Sequence, residues 1–145
     1  MIIAIDFDGT IVENKYPEIG QERPFAIETL KMLIRDRHRL VLWTCREGEL
    51  LDNALQWCRE RGVVFYAANC DYPEETTDNN PHFTRKLKAD LFIDDRNVGG
   101  LPDWGTIYRM VSHGKKWRHL IDEAYAGEKD YGESHHHHKK KWWQF

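Results

Sequence analysis

A chain of 145 residues, 41% hydrophobic and 31% charged, is the size of one domain and carries enough apolar sequence to bury a single core. No uninterrupted apolar run approaches the ~20 residues of a bilayer span, and the N-terminus lacks a signal peptide's basic flank and cleavage site, so no membrane partner and a cytoplasmic location are expected. The net charge is −3 and deepens to −6 when Lys139, Lys140 and Lys141 are set aside; an acidic body gives no case for general nucleic-acid binding.

In chain order, Ile2-Ile3-Ala4-Ile5 is a short apolar run that fits a strand covered on both faces, and it delivers Asp6-Phe7-Asp8-Gly9-Thr10 into a loop. Residues 9 to 23 are irregular, and Pro24 suits the first position of a helix whose Ile27, Leu30, Leu33 and Ile34 form one apolar stripe, to about residue 37. Leu40-Val41-Leu42-Trp43 reads as the next strand, ending in Thr44-Cys45-Arg46. A second helix follows with Leu51, Ala54, Leu55 and Cys58 on one face and Gly62 as its stop.

Val63-Val64-Phe65-Tyr66 is predicted as a third strand, and residues 67 to 84 as a long polar loop on the substrate side. Asn69 opens that loop, where it either meets substrate or forms a turn. Leu91-Phe92-Ile93 is a further strand, ending in Asp94-Asp95-Arg96. Gly99-Gly100-Leu101-Pro102 marks a loop, Thr106-Ile107-Tyr108 an edge strand, and Trp117 to about Tyr125 a final helix. Alternating strands and helices predict an α/β fold, a Rossmann-like three-layer sandwich with a central parallel sheet, over residues 1 to 126. Residues 127 to 145 read as a flexible His/Lys/Trp-rich tail. Cys45, Cys58 and Cys70 are odd in number and lack paired metal-ligand spacing, so three reduced thiols are expected, with Cys58 in the core.

The chemistry concentrates where strands end. Asp6 and Asp8 stand close enough to be unfavourable together unless a cation or a shared proton relieves them. A hard cation such as Mg²⁺ takes carboxylate oxygens and keeps shell positions open for a phosphate oxygen. Phosphoryl transfer asks for in-line positioning and compensation of oxygen charge, which a cation, a lysine and hydroxyl donors supply, and a carboxylate nucleophile divides hydrolysis into two steps. The bland alternative is a turn in which Asp8 caps the backbone before Gly9.

Strand-terminal Asp-x-Asp, then Thr, then Lys, then Asp-Asp resembles the four motifs of the haloacid dehalogenase-like hydrolase superfamily, and the resemblance runs from residue 2 to about 96. It implies that Asp6 is the nucleophile and Asp8 the acid that protonates the leaving oxygen. It implies that Thr44 holds phosphoryl oxygens, and that Asp94 completes a Mg²⁺ shell with Asp6 and the backbone carbonyl of Asp8, Asp95 ligating through water. Lys86 and Lys88 both fit the family's lysine; the Arg-Lys-x-x-Ala-Asp spacing favours Lys86. In this superfamily residues 9 to 23 would form a small flap beside the nucleophile. Members that cleave carbon–halogen bonds typically lack the second aspartate, so Asp8 argues for phosphate chemistry.

Larger members carry a cap domain between the Asp and Thr motifs or between the Thr and Lys motifs. Here those gaps are 35 residues (9 to 43) and 41 residues (45 to 85), each consumed by a helix and its flanking loops, with a strand in the second, so no cap domain fits. A capless site implies a bulky phosphorylated substrate, such as a nucleic-acid end or a phosphoprotein, or a lid borrowed from another subunit of a homo-oligomer. Arg46 either grips a second anionic group of the substrate or pairs at the surface with Glu47 or Glu49.

The expected function is a Mg²⁺-dependent phosphatase acting through an aspartyl-phosphate on Asp6. The rivals are a phosphotransferase or nucleic-acid-end phosphatase, a non-catalytic phosphate- or metal-binding module of the same fold, and a receiver domain. The last would carry its adjacent acidic pair first and its phosphoacceptor on a central strand, the reverse of the order seen here.

Overall fold

The computed structural model describes residues 1–81 and 85–114. Its two compact units are Met1–Tyr108 and Arg109–Phe145; of the second, residues 109–114 are described. The predicted helix from Trp117 and the tail lie outside the described residues. Seven elements follow in chain order: β1 Ile2–Ile5, α1 Ala26–Arg35, β2 Arg39–Leu42, α2 Gly48–Glu60, β3 Ala67–Ala68, β4 Leu91–Ile93 and α3 Trp104–Ser112. The strands form one parallel sheet in the order β3-β2-β1-β4, the expected α/β architecture without a cap domain.

Why β1 is central follows from its sequence. Ile3, Ala4 and Ile5 are essentially inaccessible to solvent, and the strand pairs on both edges, Ala4 opposite Val41 of β2 and Phe92 of β4. Side chains alternate across a strand, so the sheet presents two apolar faces. On one, Ala4, Val41 and Ala67 pack with Cys70 and Leu87, and with the partly buried Ile2, Trp43, Phe92 and Ala89. Cys70, Leu87 and Ala89, which lie between β3 and β4 in the chain, thus cover one face of the sheet. The alternate residues Ile3, Ile5, Leu40, Leu42 and Ile93 are buried too, and Phe7 beyond β1 meets Trp57 of α2 edge to face at 5.9 Å.

Both early helices end in the motif their sequences allow. After α2, Gly62 (φ 85°) donates to Arg59 O and Val63 to Cys58 O, the paired bonds of a left-handed C-terminal stop. After α1, Arg37 adopts φ 66° in the same place, its N–H reaching Ile34 O and that of His38 reaching Leu33 O. Helix α1 starts at Ala26, two residues later than Pro24 suggests, because Phe25 at φ 63° turns the chain first.

Two predicted strands are corrected. The third strand is Ala67–Ala68, not Val63–Tyr66: the C-terminal stop of α2 uses Val63, and pairing with β2 begins only when Tyr66 N–H reaches Leu40 O. The predicted edge strand Thr106–Tyr108 lies inside α3. Asp103 caps that helix, its Oδ1 accepting from Thr106 N–H at 2.9 Å and its Oδ2 from Thr106 Oγ1 at 2.7 Å, and this outweighs the β-leaning Thr-Ile-Tyr run.

Among the described residues, no helix is long and apolar enough to cross a membrane.

Candidate active site

Parallel strands all end on the same side, so the residues that follow β1, β2, β3 and β4 gather along one edge of the sheet, the usual ligand edge of an open α/β fold. Those residues are Asp6, Thr44, Asn69 and Asp94. Asp6 enters the edge held by its own backbone, its N–H donating to Ile93 O at 3.0 Å. One carboxylate oxygen from each of Asp6, Asp94 and Asp95 lies within 4.8 Å of the others, and all three residues are half-buried.

This cluster is under electrostatic load. The Asp6 carboxyl is pushed up from 3.8 to about 7, chiefly by burial, with the charges of Asp94 and Asp95 adding to the rise. Hydrogen bonds from the Thr10 hydroxyl and Phe7 N–H act in the opposite direction. Three crowded carboxylates with unrelieved charge are a donor set that fits a hard divalent cation. Asp95 stands in the cluster together with Asp6 and Asp94. The Asp8 side chain lies outside the cluster.

Thr10, which the sequence reading passed over, organises the centre. Its hydroxyl donates to Asp6 Oδ2 at 2.9 Å, stands 3.3 Å from Asp95 Oδ1 and accepts from Asp95 N–H at 3.0 Å. Trp104 holds the same residue from behind, its indole N–H donating to Thr10 O at 3.1 Å. Gly9 is required here: its φ is 91°, and a Cβ would stand 2.3 Å from Asp95 Oδ2. Local sequence did carry a signal, because Thr10 follows the Asp-x-Asp-Gly turn directly.

On the β2 side, Thr44 is half-buried and clamped by Asn69. Asn69 Oδ1 accepts from Thr44 N–H at 2.8 Å, and its amide donates to Arg46 O at 3.1 Å, while Asn69 itself sits at φ 55°. Asn69 thus bends the chain after β3 and ties it to the loop after β2. Thr44 Oγ1 accepts from Arg46 N–H at 3.1 Å, and among the described residues its own proton has no acceptor, so it is free to donate to an oxyanion. Cys45 beside it is an exposed free thiol. Cys58 and Cys70 are buried and free, and burial pushes the Cys58 thiol up to about 12.

Arg46 departs from both sequence expectations. It is 1% exposed, and its fork meets both carboxylate oxygens of Asp8 at 2.7 Å. It therefore neither pairs with Glu47 or Glu49 at the surface nor stands open to a substrate anion. Neither lysine is ion-paired with Asp6, Asp94 or Asp95 among the described residues. Lys86 is exposed with Nζ 4.9 Å from the ring of Phe92, the register partner of Ala4, while Lys88 donates its backbone N–H to Asp71.

The polar loop after β3 is built around one buried acid. Glu75, 5% exposed, accepts from Asp71 N–H, the Asn80 amide and Arg85, and Arg85 pairs with Asp71 as well. The Arg85 guanidinium and the Lys88 N–H hold the Asp71 carboxyl below its ordinary range, against the opposing effect of burial.

A solved structure of a conserved protein from Bacteroides thetaiotaomicron matches this chain at 64% identity with a TM-score of 0.76, over 81% of this chain and 94% of that one. The chain belongs to that protein's family. A scan of protein-family models and a search of curated proteins each return no match. At this identity and coverage, the parallel sheet is common to both family members. It is the sheet that places Asp6, Thr44 and Asp94 on one edge.

Proposed function

We propose that this family member is a Mg²⁺-dependent phosphate monoester hydrolase of the haloacid dehalogenase-like kind, working through an aspartyl-phosphate on Asp6. The observation that carries the reading is the convergence, at the carboxyl ends of neighbouring strands, of Asp6, Thr44 and the Asp94-Asp95 pair, with three carboxylate oxygens within 4.8 Å. The order of these residues along the chain supports the same reading.

Asp6, Asp94 and Asp95 are the residues that would hold Mg²⁺. Bound there, it would offset the carboxylate charge and polarise a phosphoryl oxygen. The carboxylate of Asp6 attacks phosphorus as the bond to the leaving oxygen breaks, and that oxygen takes a proton from Asp8. Water then attacks the phosphoryl group on Asp6 and gives up a proton to the Asp8 carboxylate as the bond from phosphorus to the Asp6 oxygen breaks, which releases inorganic phosphate and restores both side chains. Thr10 aims Asp6 through its hydroxyl, and the Thr44 hydroxyl and Lys86 supply donors to the phosphoryl oxygens.

The test is hydrolysis of an aryl phosphate with and without Mg²⁺, with Asp6→Asn as the matched control. Turnover that needs the metal and is lost in the variant supports the reading. Mg²⁺ binding with no turnover across a panel that includes phosphorylated peptides and nucleic-acid ends refutes it in favour of a binding module.

A further inference from the structure

Arg46 has the largest fully buried side chain among the described residues, and it is charged at any working pH. A guanidinium is tolerated inside a protein only when its donors are met. Four of its five N–H groups are: Nε to Asp8 Oδ2 and Nη2 to Asp8 Oδ1, both 2.7 Å, Nη1 to Pro17 O at 3.0 Å, and Nη2 to Glu18 O at 2.9 Å. The cation also lies 5.2 Å from the ring of Phe7 and 5.3 Å from that of Tyr16. A substrate oxyanion would find one N–H left and no fork.

The carbonyls of Pro17 and Glu18 belong to an excursion closed at its base by the Val12–Glu22 bridge and the Glu13 N–H to Gln21 O bond. Its outer residues, Glu13 to Glu18, are exposed and make few other polar contacts. Arg46 is thus the point at which the flap, the Asp-x-Asp loop and the loop after β2 meet. The fork uses two of the roughly four lone-pair sites of the Asp8 carboxylate, so it sets the orientation of that group while leaving oxygen sites for a transferred proton.

We infer that Arg46 is a positioning residue that couples the flap of residues 12–22 to the carboxylate of Asp8, and is not a ligand of the substrate. The coupling stands on the geometry alone. Its catalytic consequence, orientation of Asp8 toward the leaving oxygen, rests on the hydrolase proposed above.

Two measurements on the full chain test it. The first is limited digestion with trypsin at Lys15, an exposed flap residue, and needs no activity. Breaking the fork from either side releases the flap, so Arg46→Gln and Asp8→Asn each speed cleavage about tenfold, and the double variant is no faster than the single ones. Should Arg46→Gln fail to fold, as judged by circular dichroism, Arg46→Lys takes its place, keeping the charge and losing the fork. Unchanged cleavage in Asp8→Asn, or effects that multiply in the double variant, overturn the coupling.

The second measurement is turnover, with Mg²⁺, of aryl phosphates graded by leaving-group basicity. Arg46→Gln is expected to lower kcat most for the most basic leaving group, as Asp8→Asn does, with KM changing less than about threefold. Arg46→Lys recovers part of the loss. A uniform rise in KM with kcat and the leaving-group dependence intact makes Arg46 a substrate ligand and overturns the inference. If the wild-type chain turns over no phosphate ester, the hydrolase reading fails, and the cleavage pattern still decides the coupling.

Discussion

Replacing Asp6 with Asn should make the metal-free protein more stable above neutrality, although it removes the proposed nucleophile. The Asp6 carboxyl is raised from 3.8 to about 7, so the folded protein binds the proton more tightly than the unfolded chain does. Between those two values the folded state holds more protons, and stability therefore falls as pH rises, fully present below the unfolded value and lost through the folded one. A shift of roughly three units corresponds to about 4 kcal/mol, and solvent screening at a half-buried group reduces this to about 1–2 kcal/mol. Asn keeps an oxygen for the Thr10 hydroxyl and never ionises, so it escapes the loss.

The assay is thermal denaturation in the presence of a chelator from about pH 4 to about pH 8, where 1 kcal/mol moves the midpoint by roughly 3–5 °C for a domain of this size. Asp6→Asn should match wild type at the acid end and exceed it by several degrees at the alkaline end. Adding Mg²⁺ at about ten times its dissociation constant should restore about 1.4 kcal/mol to wild type and little to the variant. A variant less stable than wild type by the same amount at both ends would refute the argument, because the carboxylate would then carry no repulsive load. A metal response undiminished in the variant would remove Asp6 from the cation site.

Gly9→Ala should cost about 2–4 kcal/mol in urea unfolding and abolish the Mg²⁺-dependent stabilisation, since it forces a side chain at φ 91° into the carboxylate of Asp95. Arg37→Gly should raise stability by about 0.5–1 kcal/mol, read as a higher urea midpoint, because Arg37 holds the left-handed position after α1 that Gly occupies without strain. Asp103→Ala should lose about 0.5–2 kcal/mol, the usual worth of such a cap. Hydrogen bonds from Thr106 hold the Asp103 carboxyl below its ordinary value, so that loss is complete above the unfolded value and vanishes as pH falls through the folded one, which a pH series of unfolding midpoints would show.

The elements that could be read from the chain are those whose signal is local. Ile2–Ile5 is apolar on both faces because a central parallel strand has no solvent side, and Gly62 marks a helix end because few residues take φ 85° without strain. Where two local signals compete, strand propensity alone does not decide the element. Val63–Tyr66 has strand-forming residues, but the C-terminal stop of α2 uses the first of them, and β3 is a two-residue edge strand set by pairing with Val41 and Leu42. Thr106–Tyr108 has strand-forming residues too, but the cap at Asp103 and the burial of Trp104 and Ile107 on one face impose a helix.

The candidate site divides along the same line. Asp6, Thr44 and Asp94 could be placed from sequence because each stands within two residues of a strand's end, and a parallel sheet converts that position along the chain into proximity in space. Arg46 could not, because its partner is 38 positions away and its apparent partners, Glu47 and Glu49, are neighbours only in sequence. An arginine two residues after a candidate phosphate-binding threonine invites a second anion, yet here that charge is already consumed by Asp8 and by two flap carbonyls. On the proposed hydrolase reading, a phosphorylated substrate must then draw its cations from residues other than Arg46. Among the described residues, exposed Arg96 follows the Asp94-Asp95 pair with no side-chain ion pair of its own, and Lys86 is the exposed lysine of the basic segment before β4. Selectivity would accordingly fall with Lys86→Ala or Arg96→Ala as a rise in KM, and with Arg46→Gln as a fall in kcat.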